Sequence, residues 1–253
     1  MPMGEPRPNP AIVTFDSLLA LRQYAATNPN DGTARFVTFC ATHHVRSHSQ
    51  LFQDLFVVYF LQAKRNGFFV EFGATNGVDL SNTLVLERDF QWNGILAEPA
   101  SGWHSALKAN RRANIDTRCV WLETGAKLEF RETDVRELST LSNLVDRDFN
   151  REGRLKGITY SVDTISLNDL LKYHNSPKEI DYLSVDTEGS EFAILQAFDF
   201  TKYNIKIITV EHNFCEPDRQ QINQLLTSKG FIRLFEAFSK FDDWYIQRSI
   251  VGI

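Results

Sequence analysis

The chain has 253 residues, a formal net charge of -5, 43 % hydrophobic and 23 % charged residues. These values suit one α/β core with a modest extension and exclude disorder of the whole chain. They also exclude a large nucleic-acid footprint, because basic residues gather only at Arg111-Arg112 and between Arg147 and Lys156, beside acids, where they read as exposed, solvated faces.

Residues 1–10, with Pro at 2, 6, 8 and 10, read as a tail, and residues 1–48 as a tail and helical extension to a domain at 49–253. Asp16 is an N-cap candidate for a helix to Ala26, which Asn28-Pro-Asn-Asp-Gly32 stops. Arg35 to His44 is ambiguous: Phe36, Val37 and Phe39 suggest a strand, and a helix stays open. His43, His44 and His48 lack a cysteine or carboxylate at metal-site spacing and read as surface or loop residues. Ser49 opens a helix to Leu61 that is apolar nearly all round and therefore buried. Gln50, Gln53 and Asp54 then need partners, from neighbouring backbone or from a ligand at the loop that follows.

That loop is Gly67-Phe-Phe-Val-Glu-Phe-Gly-Ala-Thr-Asn-Gly77, a short apolar strand ending in a tight turn bracketed by Gly73 and Gly77. Ser81 to Phe90 has helical spacing with a polar start, and Gly94 to Glu98 is a second strand ending on an acid. A second crossover helix follows over Ser101–Ala113, and Thr117–Thr124 reads as the third core strand, turned by Gly125 into a hairpin with Ala126–Arg131. From Glu132 to Tyr160 periodicity is lost, which suggests a functional lid or mobile loop with Ser139–Ser142 facing the site. Ser161–Leu171 passes from strand to helix, Glu179–Asp186 and Ile205–His212 are the fourth and fifth strands, and Glu191–Ala197 and Pro217–Lys229 are helices. Phe231–Phe238 and Trp244–Arg248 are joined by too short a link for a crossover and form an antiparallel pair. The expected architecture is a seven-stranded, mostly parallel, Rossmann-like α/β sheet with helices on both faces and a C-terminal antiparallel hairpin.

Cys40, Cys119 and Cys215 are odd in number and far apart, which fits a reducing compartment and small core residues rather than disulfides or a zinc site. With no signal peptide and no apolar run long enough to span a bilayer, the expected location is the cytoplasm.

Strand, glycine turn, helix, strand, acid is the layout of a nucleotide-binding βαβ unit. A dinucleotide needs G-x-G-x-x-G against its pyrophosphate. Here the spacing is G-x-x-x-G, with Ala74, Thr75 and Asn76 inside it, and Glu71 would repel a phosphate but welcome an ammonium. S-adenosylmethionine carries an ammonium and a sulfonium and no phosphate, so the loop reads as its site, with Glu98 accepting the ribose hydroxyls. Glu71, Glu98, Asp186, Glu188 and Glu211 all fall at or just beyond strand ends, where open α/β sheets bind ligands. Methyl transfer to a hydroxyl needs alignment and a base. His212 has the best-suited ordinary pKa and is the favoured base, with Asp186 or Glu211 as an orienting or cofactor-contacting group. Since side chains alternate, Glu211 and His212 cannot both face the substrate on an extended strand. Alternatively Asp186, Glu188 and Glu211 hold Mg²⁺ or Mn²⁺, which lowers the hydroxyl pKa directly.

From about Ser49 to Gln247 these residues resemble the FkbM-type S-adenosylmethionine-dependent methyltransferases. The resemblance is carried by Ser49-Gln50 with Gln53-Asp54, Phe69–Gly77 followed by Ser81-Asn82-Thr83, Leu96-Ala-Glu-Pro99, Val162–Leu167, Val185-Asp-Thr-Glu-Gly-Ser-Glu191 and Val210-Glu-His212. It implies a class I methyltransferase fold and O-methylation of a saccharide or other natural-product hydroxyl, with Glu71, Gly73, Asn76, Glu98 and Asp54 on the cofactor. Ala74, Thr75, Gly77, Ser81, Asn82, Gln53 and Asp186 complete the candidate cofactor set. The first acid is Glu where the family often has Asp, and the loop carries Thr75. The expected partner is a small-molecule or glycan acceptor, with oligomeric state open. Two rival readings are a nicotinamide-dependent oxidoreductase on the same scaffold and a cofactor-binding but catalytically idle interaction module.

Overall fold

The structure is a computed structural model that describes residues 10–146 and 150–251. Of the expected tail only Pro10 lies among them. Contacts divide the chain into Met1–Arg46 and Ser47–Ile253. The first unit holds two helices, α1 (Pro10–Thr27) and α2 (Gly32–His43). The ambiguous stretch is thus helical: Asp31 caps α2 by accepting from the Thr33 N–H at 2.8 Å, and Phe36 and Cys40, one helical turn apart, are buried.

The second unit opens with α3 (Gln53–Phe60), followed by β1 (Phe68–Phe72), α4 (Leu84–Phe90), β2 (Asn93–Ala97), α5 (His104–Asn110) and β3 (Asn114–Asp116). Then come β4 (Cys119–Trp121), β5 (Lys127–Thr133), β6 (Thr140–Leu141), α6 (Arg151–Arg154), β7 (Gly157–Ser166) and α7 (Leu167–Tyr173). The chain finishes with β8 (Glu179–Val185), α8 (Glu191–Ala197), β9 (Asn204–Glu211), α9 (Glu216–Ser228), β10 (Phe231–Leu234), α10 (Glu236–Ser239), β11 (Asp242–Gln247) and α11 (Arg248–Val251). The main sheet has seven strands in the order β10-β11-β9-β8-β1-β2-β3, and β11 runs against its neighbours. Strand order reverses between β1 and β8, the switch point at which such sheets open a crevice. Central strands are buried on both faces, as helix-covered parallel strands must be: Val70, Ile95, Leu183, Val185, Ile207 and Ile208 are all sequestered.

The expected third core strand, Thr117–Thr124, holds only β4, which leaves the main sheet; the third strand of the main sheet is β3, just ahead of it. At Asp116 the carboxylate accepts from the Arg118 N–H and Nε at 3.0 and 2.9 Å, folding a turn that ends β3 and sends the chain into another sheet. That four-stranded sheet, β4-β7-β5-β6, replaces the predicted hairpin, since β5 pairs antiparallel with β7 and β4 pairs parallel with β7. Of Glu132–Tyr160, the two ends belong to β5 and β7 and Thr140–Leu141 to β6, and short helices and turns make up the rest of the described residues. Residues 147–149 of the expected exposed segment lie outside the described residues; within it Arg154 is fully buried. No described helix is long and apolar enough to cross a membrane.

At the amino-terminal end of β8, Asp181 is buried yet ionised. Its carboxylate takes Lys64 Nζ at 2.6 Å, Lys206 Nζ at 2.7 Å and the Phe68 N–H at 3.0 Å, which together hold its pKa below the usual range despite desolvation. Asp181→Ala should cost about 2 kcal/mol, the scale of hydrogen bonds to a charged group. Because the folded pKa is depressed, this contribution is present above about pH 4 and disappears as pH falls through the folded value. Thermal melts of the two proteins should differ at pH 6 and converge below about pH 3.

Candidate active site

The carboxyl ends of β1, β2, β8 and β9 surround a crevice of about 260 Å³. Glu71, Gly73, Thr75, Asn82, Glu98, Asp186, Glu188 and Glu211 all line it, so the acids read from separate strand ends do converge. One wall is apolar, formed by Val120, Cys119, Phe130 and Leu141, with β4 and the second sheet supplying what the main sheet lacks. Ser139 also faces the crevice.

Glycine at position 73 is required twice over. Its φ is +71°, and a Cβ there would stand 2.3 Å from the Asp186 carbonyl oxygen. Gly77, also at positive φ, packs against Arg111. That arginine is no solvated surface residue: it is buried, donating to the Gly77 carbonyl and Ser81 Oγ at 3.1 Å, to Thr83 Oγ1 at 2.9 Å and to Glu87 at 3.1 Å, with Glu71 3.7 Å away. Glu71 in turn accepts from the Asn82 N–H at 2.6 Å and from the Ser81 and Thr83 hydroxyls, so its oxygens organise the start of α4. Asn82 Nδ2 donates to Ser184 Oγ at 2.9 Å, while its Oδ1 is buried and has no partner. Glu98 accepts from the Thr75 and Ala100 N–H groups, each at 2.8 Å, and burial raises its pKa to about 7.

The remaining cofactor candidates fall outside the crevice lining. Asn76 closes the glycine turn by accepting from the Val78 and Asp79 N–H groups at 2.9 Å. Ala74 is buried beneath the loop, and Ser81 serves Glu71 and Arg111. Asp54 accepts from Ser47 Oγ at 2.6 Å and from the His48 and Leu55 N–H groups, fixing the entry to α3. Gln53 donates to Asp242 at 2.9 Å, beside a smaller adjoining cavity that Asp186, Glu211 and Asn82 share.

His212 does not line the crevice. Strand β9 stays extended through Glu211, so Glu211 turns into the crevice and His212 away from it. Its Nδ1 accepts from the Phe214 N–H at 3.1 Å, Nε2 lies 3.9 Å from Asp243, and burial lowers its pKa. Asp186 and Glu211 do line the crevice, with carboxylate oxygens within 4.8 Å of each other, close enough for their titrations to be linked. Burial is the largest cause, pushing Asp186 up to about 7 and Glu211 well above its ordinary value, with mutual repulsion adding to the latter.

Asp186, Glu188 and Glu211 bring carboxylate oxygens within 4.8 Å of one another, a donor set of the kind Mg²⁺ accepts. The cluster already has a cation, however. Arg154 Nη2 is ion-paired to Glu188, and Asn213 Nδ2 donates to Glu188 at 3.0 Å and to Glu211 at 2.8 Å. Arg154, Asn213 and Asp242 were not among the residues marked from sequence.

A family model described as the methyltransferase FkbM domain matches residues 71–233, more than half of the chain. The chain belongs to the FkbM methyltransferase domain family. It is an S-adenosylmethionine-dependent methyltransferase, which sets aside the nicotinamide reading. No curated protein matches. Among solved structures, similarity extends to an O-methyltransferase from Bacillus cereus in complex with SAH, at 14% identity over 90% of this chain and 95% of that one, TM-score 0.39. It extends also to the fibrillarin/Nop5p complex at 11% identity, covering 79% and 80%, TM-score 0.37. The CurJ carbon methyltransferase is similar at 11% identity, covering 90% and 69%, TM-score 0.34. At these scores the likenesses decide nothing about the acceptor atom.

The buried acids make stability pH-dependent in a testable direction. Asp242, with Gln53 and Trp244 donating to Oδ2 at 2.9 and 3.1 Å, is raised by burial to about 8. In the unfolded chain such carboxyls release protons near pH 4, whereas Glu98, Asp186 and Asp242 keep theirs to about 7 or 8. The stabilisation is complete below the unfolded value and is lost as pH rises through the folded ones. The melting temperature of the unliganded protein should fall between pH 5 and 8, and Asp242→Asn, which keeps an acceptor for Gln53 and Trp244, should reduce that fall.

Proposed function

We propose that the protein transfers a methyl group from S-adenosylmethionine to a hydroxyl of a saccharide or similar small acceptor, with the Asp186–Glu211 pair as general base. The observation that supports this reading is a close pair of carboxyls, their oxygens within 4.8 Å, lining the crevice at the ends of β8 and β9, where burial raises Asp186 to about 7 and Glu211 well above its ordinary value. A base whose pKa lies close to working pH combines the correct protonation state with proton affinity, an effect worth about 10²–10⁴-fold.

The cofactor fits the donor set. Glu98 retains lone pairs for two ribose hydroxyls after serving Thr75 and Ala100, and the Val120–Phe130–Leu141 wall offers an apolar face for the purine. The unpartnered Asn82 Oδ1 is the acceptor left for the ammonium; Glu71, engaged by Asn82 and Arg111, holds that asparagine in place rather than gripping the ammonium itself. When bound, the cofactor supplies an electrophilic methyl on a sulfonium. The chain's part is to orient the acceptor hydroxyl along the line of displacement and take its proton at Asp186–Glu211. Polar groups at this end, Asn213 and Glu188 among them, suit a hydroxyl-rich acceptor.

Three outcomes test the proposal. Calorimetry should show S-adenosylhomocysteine binding to the wild type and a loss of about tenfold or more in Asn82→Ala, as expected for a hydrogen bond to a charged group. On a panel of methyl glycosides and phenols, Asp186→Asn should lower kcat at least about 10²-fold while leaving S-adenosylhomocysteine affinity within a few-fold. His212→Asn should leave kcat within about tenfold of wild type, and a loss equal to that of Asp186→Asn would return the base to the histidine. Binding without turnover on every acceptor would favour the idle interaction module.

A further inference from the structure

Arg154 is fully buried although its helix, α6, spans only four residues, and it reaches across to a turn more than thirty residues away. Its Nε donates to the Leu138 carbonyl at 3.1 Å and its Nη2 pairs with Glu188. The Glu188 residue is held unusually on every side. Its φ is +58°, a left-handed conformation that a glutamate does not adopt cheaply. Its carbonyl accepts from Thr140 Oγ1 at 2.8 Å, and its carboxylate shares Asn213 Nδ2 with Glu211. The same turn begins at Asp186, whose carbonyl lies where a Cβ on Gly73 would fall, so the position of this turn fixes the width of the crevice at the glycine loop.

Resting on the reading that this crevice holds S-adenosylmethionine, we propose that Arg154 is a positioning residue: acting through Glu188, it clamps the 186–190 turn against the glycine loop and so keeps the crevice shaped for the cofactor. Arg154 touches neither the methyl group nor the acceptor. Removing either end of the pair takes a charge-assisted bond from the turn, which relaxes out of its left-handed conformation.

A double-mutant cycle read by calorimetric titration with S-adenosylhomocysteine tests this without an acceptor. Arg154→Met and Glu188→Gln should each weaken binding about tenfold, and the double variant should be no weaker than the worse single, because both remove one clamp. Arg154→Lys, which keeps the charge, should recover most of the affinity, and thermal melts confirm which variants are folded. If Arg154→Met does not fold, Glu188→Gln and Arg154→Lys carry the test through their own affinities. Unchanged affinity in the folded variants, or losses that multiply to about a hundredfold in the double variant, would overturn the clamp. Failure of the wild type to bind S-adenosylhomocysteine would instead remove the cofactor reading, and the clamp with it.

Discussion

The crevice depends on the cost of burying carboxylates. Glu71, Glu98, Asp186, Glu188, Glu211 and Asp242 are drawn to the same end of the sheet, and water reaches few of their oxygens. No fold can hold six ionised acids at such a place; each must be paired, hydrogen-bonded to backbone, or protonated. The chain uses all three devices. Arg111 and Arg154 lie beside Glu71 and Glu188, backbone N–H groups serve Glu98, and burial raises Asp186 and Glu211 toward their protonated forms.

This division assigns roles by environment. Glu71 and Glu188, beside buried guanidiniums and engaged by neighbouring donors, hold the loop and the turn in place, although burial raises the pKa of Glu71 as well. The acids left without a counter-cation have pKa values raised toward neutrality, where proton exchange is useful. The arrangement also explains why the loop after β1 can do without the dinucleotide glycine pattern. Its shape is held by Arg111 from beneath and by the Asp186 turn from the side, and Glu98 takes the Thr75 amide, leaving that donor unavailable to a phosphate.

Much of this was legible in the sequence because strand ends are. Apolar runs that stop on an acid mark the carboxyl edge of a parallel sheet, and alternation along Val210-Glu-His212 already showed that Glu211 and His212 must point apart. His212 is favoured in sequence by its ordinary pKa, whereas burial, a tertiary property, raises Asp186 to about 7 and Glu211 well above its usual value. Arg111 and Arg154 were misread for a related reason. A basic residue among acids carries no local sign of being internal, and α6 is too short to display a periodic face. The second sheet was hidden because Thr117–Thr124 reads as a core strand, whereas the Asp116–Arg118 turn, a side-chain contact that propensity does not encode, ends the main-sheet strand before it.

The most direct test is a carboxyl titration. Protein labelled with ¹³C at aspartate and glutamate side chains, with the two resonances assigned by their loss in Asp186→Asn and Glu211→Gln, should show Asp186 titrating at about 7 and Glu211 well above its ordinary range. Unperturbed titrations of both near pH 4 would show that burial does not raise the pair, and the account of the base would be wrong.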